Sequence, residues 1–170
     1  MNTITPPARI AFIGMGVMGA AMAANIHKAG FALTVATRSR DKAEALLAAG
    51  AQWAGSAAEA ASGAACVALC VPDTPDVETV LFGAYGVAAG LTPGKTVVDM
   101  SSISPIATKE FAAKINALVC DYVDAPVSGG EVGAGAAKAL GAGDQVAVVR
   151  GGLGLHACQP AERERAGAAG

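Results

Sequence analysis

The sequence is short of charge and of long apolar runs, and each shortage removes a class of protein. Asp, Glu, Lys and Arg make up 15% of the chain, with 12 basic against 14 acidic residues and a formal net charge of −2. So thin and balanced a charge gives no electrostatic footprint for nucleic acid or for an anionic membrane surface. The apolar runs are broken by Gly, Pro or charge well short of the roughly 20 residues of a membrane-spanning helix. The opening stretch 1–8 holds Pro6 and Pro7 and no apolar core, so no secretion signal is expected there and the expected compartment is the cytoplasm. Cysteine lacks a metal pattern. Cys66 and Cys70 share an apolar run, Cys120 stands alone, and Cys158 lies near His156. Without C-x2-C spacing or a second pair, the expectation is buried reduced thiols and no metal. What is abundant is Ala and Gly, a composition suited to helices packed closely on a sheet. The length of 170 residues fits one domain with a self-sufficient core.

Strand-like and helix-like stretches alternate from Arg9 onward. The apolar run 10–13 ends at Gly14 and reads as a buried strand. A helix over 17–29 follows, with Met18, Met22 and Ile26 on one face and Gly30 as its stop. A second strand is expected over 31–37. A helix over 41–49 is expected to open on Asp41 and Glu44 in capping-box spacing and to close at Gly50. Next come a short strand over 51–53 and a helix over 56–61 capped by Ser56, with Glu59 three residues on. The clearest strand is 65–71, ended by Pro72. A one-sided helix over 75–82, a Gly-rich loop over 85–94 and a strand over 95–100 follow. Pro105 opens a helix over 105–118, and 120–124 is the last strand.

This alternation predicts an α/β fold, a Rossmann doubly wound parallel sheet with helices on both faces, and a ligand where its two halves meet. Residues 1–134 are expected to form the dinucleotide-binding domain. Residues 135–170 are rich in Gly and lack sustained periodicity apart from 145–149, so a poorly ordered tail is expected there.

Gly14-Met15-Gly16-Val17-Met18-Gly19 carries G-x-G-x-x-G between the first strand and the first helix. In that place Gly14 permits the tight turn, Gly16 leaves room for a pyrophosphate and Gly19 lets helix and strand approach. The N–H groups of the first helical turn then receive the diphosphate. The alternative is a Gly-rich turn without a ligand. An acid is missing at the end of the second strand, where an NAD binder places one for the ribose hydroxyls. Thr37-Arg38-Ser39-Arg40 stands there instead. Arg38 suits a 2′-phosphate, which favours NADP(H) over NAD(H). Asp41, the nearest acid, is read as a helix cap.

These residues resemble the β-hydroxyacid dehydrogenase family over 10–134. The resemblance rests on the run from Phe12 through Gly19 to Ile26, on Val98-Asp99-Met100-Ser101-Ser102-Ile103-Ser104-Pro105, and on Asp124-Ala125-Pro126-Val127-Ser128-Gly129-Gly130. It implies hydride transfer between a nicotinamide dinucleotide and a small hydroxy acid or its semialdehyde. The wording of the last two motifs leans toward the branch acting on 2-hydroxy-3-oxopropionate. 3-Hydroxyisobutyrate dehydrogenase and imine-reductase-like activities are the alternatives, as is a non-catalytic NAD(P)-binding fragment. By resemblance, Val71 and Pro72 border the nicotinamide, Ser102 contacts it, and Ser128, Gly129 and Gly130 hold the substrate carboxylate. Ser102 as a cap for the following helix, and Ser128-Gly129-Gly130 as a plain turn, are the structural alternatives.

The family's catalytic lysine lies in a G-x-G-x-x-x-K-x-x-N helix that leads into a helical domain. Here Gly133-Ala134-Gly135-Ala136-Ala137-Lys138 is one residue short of that spacing, and Gly141 stands where Asn is expected. Lys138 is then either a displaced relic of that lysine or an ordinary solvent lysine. The resemblance therefore leaves open whether the chain is an enzyme. The helical domain is expected to be absent, exposing apolar surface that favours self-association.

Overall fold

In the computed structural model, residues 3–127 and 155–156 are described. The elements run β1 (Thr3–Ile4), β2 (Arg9–Ile13), α1 (Val17–Lys28), β3 (Ala32–Ala36), a 3-10 turn (Arg40–Ala43), α2 (Glu44–Ala48), β4 (Gln52–Trp53), α3 (Ala57–Ser62) and β5 (Cys66–Leu69). They continue with α4 (Thr74–Phe82), α5 (Val87–Gly90), β6 (Thr96–Asp99), α6 (Pro105–Asn116), β7 (Asp121–Asp124) and β8 (Leu155–His156). Six strands form one parallel sheet in the order β4-β3-β2-β5-β6-β7. The chain starts in the middle, works outward to β4, then returns to β5 and works out the other way. This is the expected doubly wound topology, and the order reverses between β2 and β5.

Alternation along the strands divides the core. Ile10 and Phe12 of β2, Leu33 and Val35 of β3 and Ala68 of β5 face one side, where Met22, Ala23 and Ile26 of α1 and Leu46 of α2 pack on them. Ala11 and Ile13 of β2, Val67 and Leu69 of β5 and Val97 of β6 face the other, against Val77 and Leu81 of α4 and Phe111 and Ile115 of α6. Both faces are covered, so β5 and β2 after Arg9 read as unbroken apolar runs, while β6 buries Thr96 and Asp99 beside its two valines. Full burial of a side chain such as Ile26 or Leu81 contributes about 1.5–3 kcal/mol.

Helices α3 and α4 have side-chain caps. Ser56 caps α3, its Oγ accepting a hydrogen bond from the Glu59 N–H at 3.1 Å, while Glu59 reaches back to the Gly55 N–H at 2.7 Å. Asp73 caps α4 in the same manner, through the Asp76 N–H at 3.2 Å. The capping box expected at Asp41 does not form. The chain makes a tight 3-10 turn over Arg40–Ala43 first, α2 starts only at Glu44, and no side chain caps either. Asp41 lies inside that turn, and its carbonyl accepts from the Glu44 N–H.

The expected loop over 85–94 contains the short α5, whose contacts are mainly with α3 and α4. Within 135–170, where no regular structure is expected, Leu155–His156 pairs antiparallel with Thr3–Ile4. That pairing joins the two ends of the chain, so no local periodicity announces it. The boundary expected at 134, the run 145–149 and Cys158 lie outside the described residues. Among the described residues, no helix is long and apolar enough to cross a membrane.

Candidate functional site

A cleft of about 760 Å³ opens at the carboxyl ends of the strands, where the sheet order reverses. Its size lies within the range usual for small-molecule sites. Gly14, Met15, Gly16, Val17, Met18 and Gly19 form its floor between β2 and α1. Thr37, Arg38 and Ser39 reach it from the end of β3, Val71 and Pro72 from β5, and Ser102 from β6. Residues far apart in sequence, all expected at one ligand, are therefore brought together. Ser128, Gly129, Gly130 and Lys138 lie outside the described residues.

The three glycines of the turn have different tasks. Gly14 holds φ +96°, and a Cβ there would strike the Cys70 carbonyl oxygen of the neighbouring strand. Gly19 lies so close under the turn that a Cβ would strike the Gly14 carbonyl oxygen. Gly16 is different: nothing lies within 4 Å of its would-be Cβ. Gly14 and Gly19 are thus needed to close the turn, and Gly16 leaves space over it. Gly16 is also the N-cap of α1, and no side chain caps that helix. The first-turn N–H groups have no intrahelical acceptors and carry the positive end of the helix dipole. With no acid in that turn, the arrangement suits a diphosphate.

Charge gathers at one end of the cleft. Arg38 is well exposed, with Nη1 3.6 Å from Asp76 Oδ1 at the start of α4, and Lys42 lines the same region. Arg40 turns away and stands 5.7 Å over the Trp53 ring. The other end is neutral on its surface and rests on a buried acid. Asp99, at the end of β6, is wholly buried. Its Oδ2 accepts from Tyr122 Oη at 2.6 Å and its Oδ1 from the Ser101 N–H at 2.9 Å. Ser101 Oγ in turn accepts from the Val71 N–H at 3.0 Å. One carboxylate therefore ties together the end of β6, the start of β7 and, through Ser101, the end of β5, and with them the wall formed by Val71, Ser101 and Ser102.

Burial pushes the Asp99 carboxyl above the usual carboxylate range, against the hydrogen bonding from Tyr122 and Ser101 that acts to lower it. Burial, then the Asp99 charge, raises the Tyr122 hydroxyl and the Asp124 carboxyl. The same two causes push the Cys70 thiol up to about 11. Cys66 and Cys120 are buried as expected, but Cys70 lines the cleft. Ser102 is not the cap of α6, a place taken by Ser104, and so stands free to face the cleft.

Sequence reasoning missed Lys42, Asp76, Cys70, Ser101 and the supporting role of Asp99. Two had a signal: Asp99 is an acid ending a buried apolar run, and Lys42 stands four residues after Arg38. Asp76 had none, because only the fold brings α4 against the end of β3. Among the described residues, no group of three or more His, Cys, Asp or Glu side chains is placed to hold a metal ion.

A doubly wound parallel sheet with a glycine turn at its switch-point cleft defines a Rossmann-type dinucleotide-binding domain. More particularly, the chain belongs to the family of the NAD-binding domain of 6-phosphogluconate dehydrogenase, which it matches over residues 9–151. It is 49% identical over 126 residues to 2-hydroxy-3-oxopropionate reductase of Escherichia coli, covering 74% of this chain and 43% of that protein. Mycobacterium tuberculosis 3-hydroxyisobutyrate dehydrogenase, solved with L-serine, is similar with a TM-score of 0.71 at 33% identity, covering 78% of this chain and 44% of that one. A structure solved with NADP+ and 2-OPP has a TM-score of 0.71 at 32% identity, covering 76% and 46%. The chain thus spans less than half the length of these relatives.

Proposed function

We propose that the chain is the dinucleotide-binding part of an NADP(H)-dependent oxidoreductase of the β-hydroxyacid dehydrogenase type, acting on 2-hydroxy-3-oxopropionate. The observation that carries this reading is the uncapped start of α1 beneath the open space over Gly16, at the switch point of the sheet. A nicotinamide dinucleotide bound there donates or accepts a hydride. The α1 N–H groups hold its diphosphate. Arg38 and Lys42, the cations lining the cleft among the described residues, take the adenosine 2′-phosphate. Val71, Pro72 and Ser102 would border the nicotinamide, on a wall held through Ser101 by Asp99. Ser128, Gly129 and Gly130 are proposed for the substrate carboxylate, because a hydroxyl and consecutive backbone N–H groups are chemically suited to an anion. The cytoplasm is the proposed compartment, supported by the free thiols of Cys66, Cys70 and Cys120.

A second reading is dinucleotide binding without turnover. It is favoured by the placement of both cleft cations at the adenosine end: among the described residues, no Lys or His lines the nicotinamide end. Reduction of a carbonyl needs a proton donor and a stabiliser of the developing alkoxide there.

One experiment decides between the readings. The purified chain is titrated with NADPH by nicotinamide fluorescence, then given 2-hydroxy-3-oxopropionate while absorbance of the reduced cofactor is followed. Saturable binding with turnover, abolished by Lys138→Ala, supports the enzyme. Binding without turnover supports the second reading, and absence of binding rejects both.

A further inference from the structure

At the mouth of the cleft, opposite charges face each other from the two halves of the sheet. Arg38 follows β3, in the first half, and Asp76 lies in the first turn of α4, which follows β5 in the second. Arg38 Nη1 and Asp76 Oδ1 are 3.6 Å apart, and both residues line the cleft. The Arg38 side chain is 86% exposed and the Asp76 side chain 32%. The guanidinium is therefore the adaptable partner and the carboxylate the fixed one. Asp76 is held by its backbone, through the N–H given to Asp73 Oδ1, so its side chain is not needed for the cap.

An exposed pair of this kind is weak, and a phosphate carrying close to two negative charges displaces it from the guanidinium. Displacement does not remove the carboxylate, whose charge stays beside any anion that Arg38 takes up. We propose that Asp76 is a specificity-determining residue: its carboxylate competes with the adenosine 2′-phosphate for Arg38 and repels it. It thereby limits the preference for NADP(H) over NAD(H) that Arg38 and Lys42 create. The inference rests on the dinucleotide reading of the cleft given above. NAD(H) presents a neutral hydroxyl in place of that phosphate and meets little of this repulsion.

The whole chain is titrated with NADPH and with NADH as Asp76→Asn, as Arg38→Ala and as the double variant, with thermal unfolding by circular dichroism as the check on folding. In Asp76→Asn the preference for NADPH, taken as the ratio of the two dissociation constants, is expected to rise about five- to tenfold. In the Arg38→Ala background the same substitution is expected to move it by a smaller factor, about two- to threefold, since the competition has lost its object and only the direct repulsion of the phosphate remains. Asp76→Ser is the second neutral variant and must shift the ratio the same way, whereas Asp76→Glu, which keeps the charge, must leave it near the parent value. A ratio that stays put or moves toward NADH in the neutral variants overturns the inference while leaving the dinucleotide site intact. If the parent chain binds neither dinucleotide, the reading of the cleft fails and this inference falls with it.

Discussion

The two ends of the cleft are held in place by opposite means. At one end, Arg38 and Lys42 are exposed side chains on a loop and a single 3-10 turn, with one 3.6 Å ion pair between Arg38 and Asp76. At the other end, a fully buried Asp99 gathers Tyr122, Ser101 and, through Ser101, Val71. The first arrangement adapts to its ligand and adds little to stability, as exposed pairs generally do. The second is buried, with two of its donors, Tyr122 and the Ser101 N–H, on the Asp99 carboxylate and the Val71 N–H on Ser101. The difference suits the proposed tasks: an anion can be gripped by mobile cations, while hydride transfer needs a wall fixed to a fraction of an ångström.

The largest effect tests the turn shared by both ends. Gly19→Ala drives a methyl into the Gly14 carbonyl, and a loss of roughly 3 kcal/mol or more in urea unfolding is expected. Gly16→Ala meets open space, so its unfolding is expected to stay within about 0.5 kcal/mol of the parent while NADPH binding weakens about tenfold or more. Equal losses of stability in the two variants would show that the glycines are not divided between closing the turn and clearing the ligand space.

Next in size is the contrast between the ends themselves. Asp99→Ala strands the Tyr122 hydroxyl and the Ser101 N–H in the interior and is expected to cost about 2–4 kcal/mol. Arg38→Ala is expected to shift unfolding by less than about 0.5 kcal/mol while weakening NADPH far more than NADH. A stability loss as large at Arg38 as at Asp99 would erase the distinction.

The smallest effect is a slope. Asp99 has its carboxyl raised in the folded state, so the folded chain holds that proton more tightly than the unfolded chain. The associated stability is fully present below the unfolded carboxylate value, about 4, and is lost as pH rises through the folded value. Asp124, raised by burial and by Asp99, adds a slope of the same sign. Stability measured by urea unfolding across this window should therefore fall with rising pH in the parent and fall less steeply in Asp99→Asn. Parallel slopes would mean that Asp99 does not carry the linkage.

Most of the strand and helix order was legible because the apolar runs are short, nearly pure and separated by Gly and Pro. Ser56 with Glu59 and the turn from Gly14 to Gly19 announced themselves through spacing alone. Asp41 misled, since capping-box spacing does not reveal that the chain winds a 3-10 turn first. Asp99 and Tyr122 were visible as residues but not as partners, because their bond crosses adjacent strands whose register the sequence does not state.

The sequence by itself determined the alternation of strands and helices, the glycine turn and the missing acid after β3, since each is a matter of neighbours along the chain. Tertiary structure decided that Asp76 faces Arg38, that Cys70 lines the cleft and that Asp99 links β6 to β7 and, through Ser101, to β5. Those relations come from parallel pairing and crossover packing, which bring together side chains with no local signature of their meeting.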